Sequence, residues 1–225
     1  MRTDDDLRRA EELFASGDDD ALLDYATAFW ARHGPTGAGA SEVARFARIA
    51  AYRSRPAQDQ TWQARAIEAA CLTGSWRSLA LSLRQYADRL TVSGELRAAD
   101  SLLRVMEVLT NLDQQGEPPK DLVDGILAER RAFLLTQSQD WAGAAKWLSK
   151  ALHLCPTGER RELKVKGSLA RAKWLAGGPD HEAVREFQAL VNASADCPDV
   201  REWAEANLQA AQAGDRSRSI PFDLL

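Results

Sequence analysis

The sequence predicts an all-α protein, an array of antiparallel helical hairpins with about eleven helices. Three observations carry that expectation. Ala, Leu, Arg, Glu and Asp dominate the 225 residues, while Ile, Val, Thr and Tyr are sparse. Straight side chains lose little rotamer freedom in a helix and β-branched ones lose more. Apolar residues recur at helical spacing, and no segment shows the period-two alternation of a strand. The breaks TGSW, VSGE, QGEPP, SQDW, CPTG, GGPD and CPDV are short, and each contains a turn former or a helix cap.

The first two helices fall at 4–15 and 19–32. Asp4 to Asp6 and Asp18 to Asp20 open them, where carboxylates cap free N–H groups and oppose the macrodipole. Neither acidic run has the alternating ligands and turn glycine of a calcium loop. A Gly/Ala-rich loop, HGPTGAGAS, spans 33–41, and Ser41 suits the N-cap of a third helix at 41–54. Further helices follow at 57–73, 75–91, 95–112, 120–137, 141–154, 159–177, 180–192 and 198–212. This gives N-terminal helices without a clear repeat over 1–56, a repeat array over 57–212, and a tail over 213–225. The tail, GDRSRSIPFDLL, is polar from Gly214 to Ser219 and apolar from Ile220 onward. It either folds back to cover the last helix or docks on another protein.

Composition narrows the function classes. Hydrophobic residues make up 45% and charged residues 28%, enough apolar content for a substantial core. A net charge of −4 lacks the basic excess of a dedicated duplex binder. No apolar run reaches the ~18–20 residues that span a bilayer. MRTDDDLRRAEELF is acidic where a secretory signal would be basic and then apolar. A cytoplasmic location, with no membrane association, is expected. Cys71, Cys155 and Cys197 are odd in number and widely spaced, and read as small buried hydrophobes. GPTGAGAS has the glycine spacing of a phosphate loop, but Ala40 stands where the lysine should be, and a helix, not a strand, precedes it. His33, His153 and His181 lack ligand partners at i+3 or i+4. No catalytic residue, metal ligand or cofactor is assigned, and the chain is not expected to be an enzyme. Trp30, Trp62, Trp76, Trp141, Trp147, Trp174 and Trp203 lie in or beside helices at apolar spacing, which points to packing. Trp76 and Trp141 follow helix–helix turns, as hairpin packing would place them.

Self-similarity sharpens the fold. The window 125–158 ends LLTQSQDWAGAAKWLSKALHLCP. Asp140 and Trp141 form a polar-then-aromatic turn, Ala144 and Ala151 are small crossing positions, Leu148 is large and apolar, and Pro156 ends the helix. Ala132 and Leu135 precede them on the first helix. In these residues the chain resembles a tetratricopeptide repeat, although Arg131 stands where that family usually has Leu. A window at 80–113 repeats the logic with Tyr86, Ala87, Leu90, Gly94, Glu95, Leu96, Ala99 and Leu103, but Asn111 replaces the closing Pro. A third, near 164–196, keeps Ala170 or Ala172, Leu175, Ala183, Phe187 and Leu190. The first two windows lie further apart than the family's ~34 residues, and QGEPPKD reads as an insertion between them. The resemblance covers about residues 60–196 and implies a TPR-like α-solenoid.

The same resemblance implies a concave groove lined by the first helix of each hairpin. Arg84, Gln85 and Asp88 of one repeat, with Glu129, Arg130 and Phe133 of the next, would face a bound segment, and Lys164 and Arg171 would continue the groove. The function so implied is non-catalytic protein–protein interaction: an adaptor or scaffold subunit binding a protein or peptide partner. An alternative uses the basic stripe at 146–173, where Arg160, Arg161, Lys164, Lys166, Arg171 and Lys173 follow Lys146 and Lys150, to bind nucleic acid as an α-solenoid. An ordinary solvated face with i,i+4 pairs such as Glu162–Lys166 is the simplest account of that stripe. An enzyme with an unrecognised site ranks below these readings.

Overall fold

A computed structural model of the chain describes residues 3–35, 40–53, 56–72, 74–112, 119–154 and 159–221. Among them are eleven α-helices, one short 3-10 helix at Arg216–Arg218, and no strand. The helices are α1 Thr3–Ser16, α2 Asp19–His33, α3 Ala40–Arg53, α4 Pro56–Leu72, α5 Trp76–Val92 and α6 Leu96–Leu112, then α7 Lys120–Gln137, α8 Trp141–Leu154, α9 Glu159–Leu175, α10 Asp180–Ala193 and α11 Pro198–Gln212. Every bound lies within two residues of its expected place. Because α3 opens at Ala40, Ser41 sits inside the first turn rather than at the cap. The glycine loop at 36–39, residues 115–118 of the QGEPP segment, Cys155 and Pro156 lie outside the described residues.

The chain divides into two compact units, 1–89 with 104–120, and 90–103 with 121–225. The domain boundary expected at 56 falls inside the first unit, where α3 and α4 pack together. Its core joins Leu22, Ala26 and Phe29 of α2 to Val43, Phe46 and Ala50 of α3 and Trp62 of α4. Phe29 and Phe46 stack at 4.2 Å, and Trp30 meets Trp62 edge-on at 6.3 Å. The Arg65 guanidinium lies over both indoles, 5.3 Å from Trp30 and 4.5 Å from Trp62. Asp18 caps α2, its Oδ1 accepting from the Ala21 N–H at 3.1 Å. Asp6 does something the capping pattern does not foretell: it is buried and accepts a hydrogen bond from the Tyr25 hydroxyl. Burial, and then that carboxylate, push the Tyr25 phenol up to about 12.

The second unit repeats one device at its turns. A residue with positive φ stops the helix at Gly94, Gln139, Gly177 and Gly214 (φ 82°, 59°, 105° and 64°). At each, the next N–H reaches back to a carbonyl of the last turn: Glu95 to Leu90, Asp140 to Leu135, Gly178 to Lys173 and Asp215 to Ala210. The first of these intervals is the longest, and it contains the QGEPPKD segment. Asp140 then caps α8 by accepting from the Gly143 N–H at 2.9 Å. Ala128 and Ala132 of α7, Ala144 and Ala151 of α8, and Ala172 of α9 share one core with Leu148, Val165 and Leu169. Small residues let these helices approach, and the larger ones fill the groove beside them. Phe187 of α10 continues the packing edge-on to Trp174 at 6.4 Å and to Trp203 at 6.0 Å.

Two packing expectations are corrected. Cys71 is exposed and Cys197 half-buried, so neither is a buried hydrophobe. Cys71 lies nine residues from buried Trp62, about 180° around α4 and therefore on the outward face. Trp76 is 47% exposed, because Arg77, Ser78 and Ala80 take the inward side of the first turn of α5. Trp141 is half-buried, in line with a hairpin role.

Candidate functional site

Five of the eight proposed groove residues belong to the second unit, and α7 and α9 bring them onto one face. Glu129 of α7 is buried and pairs with Arg161 of α9 at 2.6 Å. Arg130 is buried beside it. Lys164, one turn along α9 from Arg161, feels the charges of both Glu129 and Arg130. Burial, and then the Arg160 guanidinium, hold the Lys164 ammonium below its usual pKa, while Asp199 and Glu129 act in the opposite direction. Phe133, one turn along α7 from Glu129, and Arg171, two turns along α9 from Lys164, line a small cavity of about 40 Å³ with Thr136 and Ser168. Burial lowers the Arg171 guanidinium to about 10. Its Nε donates to the Ser219 hydroxyl at 2.8 Å, and its plane lies 5.1 Å from the Trp141 ring centre.

Arg84, Gln85 and Asp88 belong to the first unit. Gln85 and Asp88 are buried, and the Gln85 amide donates to the Arg48 carbonyl at 3.1 Å. Burial, and then Arg84 and Arg45, lower the Arg48 guanidinium to about 10. Arg48 donates to the hydroxyls of Ser78 and Ser82. This polar seam engages α3 and the inward side of α5, so Gln85 and Asp88 are committed to the interior of their unit, while Arg84 is half-buried.

The basic stripe on α9 is largely neutralised within the fold. Arg160 pairs with Asp199, Arg161 with Glu129, Lys166 with Glu162, and Lys173 with Glu186, all within 3.2 Å. Lys150 lies 4.9 Å from the Trp147 ring centre. A larger cleft, about 370 Å³, opens between α8, α9 and α10 over Leu152, Leu163, Leu169 and Leu190. Lys166 and Lys173 stand at its rim, each already paired.

Over its described residues, 213–221, the tail folds back onto the second unit. Arg216 donates to the Gly178 carbonyl at 2.8 Å and lies 3.6 Å from the Asp180 carboxylate. Trp203 and Asn207 of α11 hydrogen-bond to the Ile220 main chain. Sequence reasoning read Trp203 as a packing residue and passed over Asn207, together with Gly167 of α9. A Cβ at Gly167 would lie 2.2 Å from the Trp203 ring, so only glycine lets that indole rest on the α9 backbone. Gly in a helix interior and Asn on an apolar helix face are both unfavourable locally, which is the signal that could have found them.

Among the described residues, no group of three or more His, Cys, Asp or Glu side chains converges as a metal site would. No described helix is long and apolar enough to cross a membrane. Compared with models of protein families, with curated proteins and with solved structures, the chain matches none of them.

Proposed function

We propose that this chain is a non-catalytic protein–protein interaction module, an adaptor or scaffold subunit that binds a segment of a partner along the α7–α9 face. Its hairpins stack in the manner of a tetratricopeptide-like α-solenoid. The repeated positive-φ stops and the alanine crossings of α7, α8 and α9 support that stacking. The observation that carries the function is the convergence of Glu129, Arg130, Phe133, Lys164 and Arg171 on one partly buried face. An ammonium held below its usual pKa by burial and a neighbouring cation gains from an incoming carboxylate, so an acidic partner group suits Lys164. Phe133 and Arg171 offer an apolar and a planar cationic contact beside it.

The test is affinity purification of the full-length tagged chain from native lysate, side by side with full-length Lys164→Glu and Phe133→Ala chains whose folding is checked by circular dichroism. The reading expects partner proteins that identify by mass spectrometry with the wild type and are depleted with both variants. Identical recovery from all three, or none from the wild type, refutes it. Nucleic acid is the weaker alternative, because Arg160, Arg161, Lys166 and Lys173 each already have a carboxylate within 3.2 Å. Absence of low-salt binding to DNA and RNA would end that alternative.

A further inference from the structure

After the 3-10 helix the chain becomes extended at Ser219 (φ −67°, ψ 124°) and runs past α11. Asn207, in the middle of α11, is fully buried and spends its whole amide there. Nδ2 donates to the Ile220 carbonyl at 3.1 Å and to the Trp203 carbonyl at 3.0 Å. Oδ1 accepts from the Ile220 N–H at 3.2 Å and from the Ser219 hydroxyl at 2.9 Å. Trp203 Nε1 donates to the same Ile220 carbonyl at 2.9 Å. Arg171 Nε donates to the Ser219 hydroxyl, which therefore both gives and receives a hydrogen bond. Pro221 reaches the cavity lined by Phe133, Thr136 and Ser168.

These contacts read a short extended segment. One residue is held by its own N–H and C=O, so its side chain is not selected, and the Ile220 residue is 48% exposed. The residue before it is selected for a hydroxyl, by a guanidinium on one side and an amide on the other. The residue after it is a proline, which donates no N–H and fills a small cavity. An attachment made mostly of polar contacts to an extended strip, with little apolar burial, belongs to the low-stability end of a fold and opens before the helices do.

We propose that Asn207, Trp203 and Arg171 form a peptide-binding site whose resident occupant is the chain's own Ser219–Pro221, and that a partner segment made of a hydroxyl residue, any one residue other than proline, and then a proline takes its place when the tail lifts. The proposal rests on the α7–α9 face being a docking surface and adds to it a ligand pattern and a gate. A tethered occupant acts at an effective concentration on the order of millimolar, so it excludes weak ligands and admits those that outbid it.

The probe is a fluorescein-labelled peptide of residues 215–221, DRSRSIP, capped at both ends and titrated by fluorescence anisotropy into three full-length proteins. These are the wild type, the Ser219→Ala/Ile220→Pro chain, and that chain with Asn207→Asp added. Ile220→Pro removes the N–H that Asn207 accepts and leaves the helices untouched. The expected result is on the order of tenfold tighter binding to the loosened-tail chain than to the wild type. Asn207→Asp, which keeps size but loses both donors, should abolish that gain, and the same peptide with Ser→Ala should not bind. A folded loosened-tail chain that binds no better than wild type overturns the proposal, as does binding indifferent to Asn207. Should either variant fail to fold, hydrogen exchange of the wild-type Ile220 amide decides: saturating peptide must accelerate it, and unchanged exchange overturns the proposal. Partner capture that depends on Lys164 but not on Asn207 would leave the docking face standing and sink this site alone.

Discussion

Gly167→Ala sets two effects of known size against each other. Replacing a mid-helix glycine by alanine stabilises an exposed helix by about 1 kcal/mol, through lower backbone entropy in the unfolded chain. Here the new methyl would stand 2.2 Å from one carbon of the Trp203 ring and 2.7 Å from the next. Ordinary carbon contacts lie near 3.5–4.0 Å, so the indole must withdraw by roughly 1.5 Å. It has little room to do so. Its ring is only 8% exposed as a residue, packs edge-on against Phe187 at 6.0 Å, and is tied through Nε1 to the Ile220 carbonyl. Overpacking of such a site costs typically about 1–3 kcal/mol, and a broken hydrogen bond adds about 1 kcal/mol. The clash wins, with a net loss of about 1–3 kcal/mol.

Urea denaturation followed by tryptophan fluorescence measures this, with an unchanged m-value showing that stability alone has moved. A Trp203→Leu background supplies the control. Without the ring, Gly167→Ala should regain its helix-propensity advantage and stabilise that background by about 0.5–1 kcal/mol. If Gly167→Ala is neutral or stabilising in the wild type, the contact between α9 and Trp203 is not as described.

Gln139→Gly should stabilise the second unit by about 0.5–1 kcal/mol, because a side chain at φ 59° is strained and glycine is not, whereas Gly94→Ala, at φ 82°, should destabilise it by a similar amount; thermal unfolding of both variants checks the pair. Tyr25 gives a pH signature. Its folded pKa of about 12 exceeds the ordinary 10.0, so the folded state binds more protons between those values. The stability this group contributes is complete below about pH 10 and is lost as pH rises toward 12. Tyr25→Phe should remove that alkaline decline, which urea midpoints measured from about pH 9 to about pH 11 would resolve.

The helices were legible in the sequence because their signals are local. A cap such as Asp18 or Asp140 and a stop such as Gly94 act within five residues of themselves, so spacing alone places them. The pairing of the basic stripe was not legible, for the converse reason. Arg160, Arg161 and Lys173 look uncompensated along the chain because their carboxylates, Asp199, Glu129 and Glu186, stand on α11, α7 and α10. Of the residues expected to line a groove, those on α7 and α9 share a face, whereas Gln85 and Asp88 are buried polar groups of the first unit. Asn207 was invisible as a site residue since its partners follow a short 3-10 helix, whose three residues carry too weak a pattern to predict where the next segment turns.

Arg131 shows how a charged side chain is held among packed helices. A leucine there would be held by dispersion against its neighbours, and a lone guanidinium would lose hydration without recompense. Instead Asp100 of α6 meets Arg131 at 2.6 Å, and the Trp147 ring of α8 lies under the guanidinium with its centre 5.5 Å away. Both partners come from helices flanking α7, so one side chain links three successive helices where a leucine would only pack. The arrangement is brittle in a specific way. Removing Asp100 alone leaves a largely buried cation, 12% exposed in its side chain, without its carboxylate, while exchanging Arg131 for leucine restores apolar contact to Trp147. Arg131 is therefore coupled to Asp100 and Trp147, and the three residues form a unit that a pattern read along the sequence one position at a time does not contain.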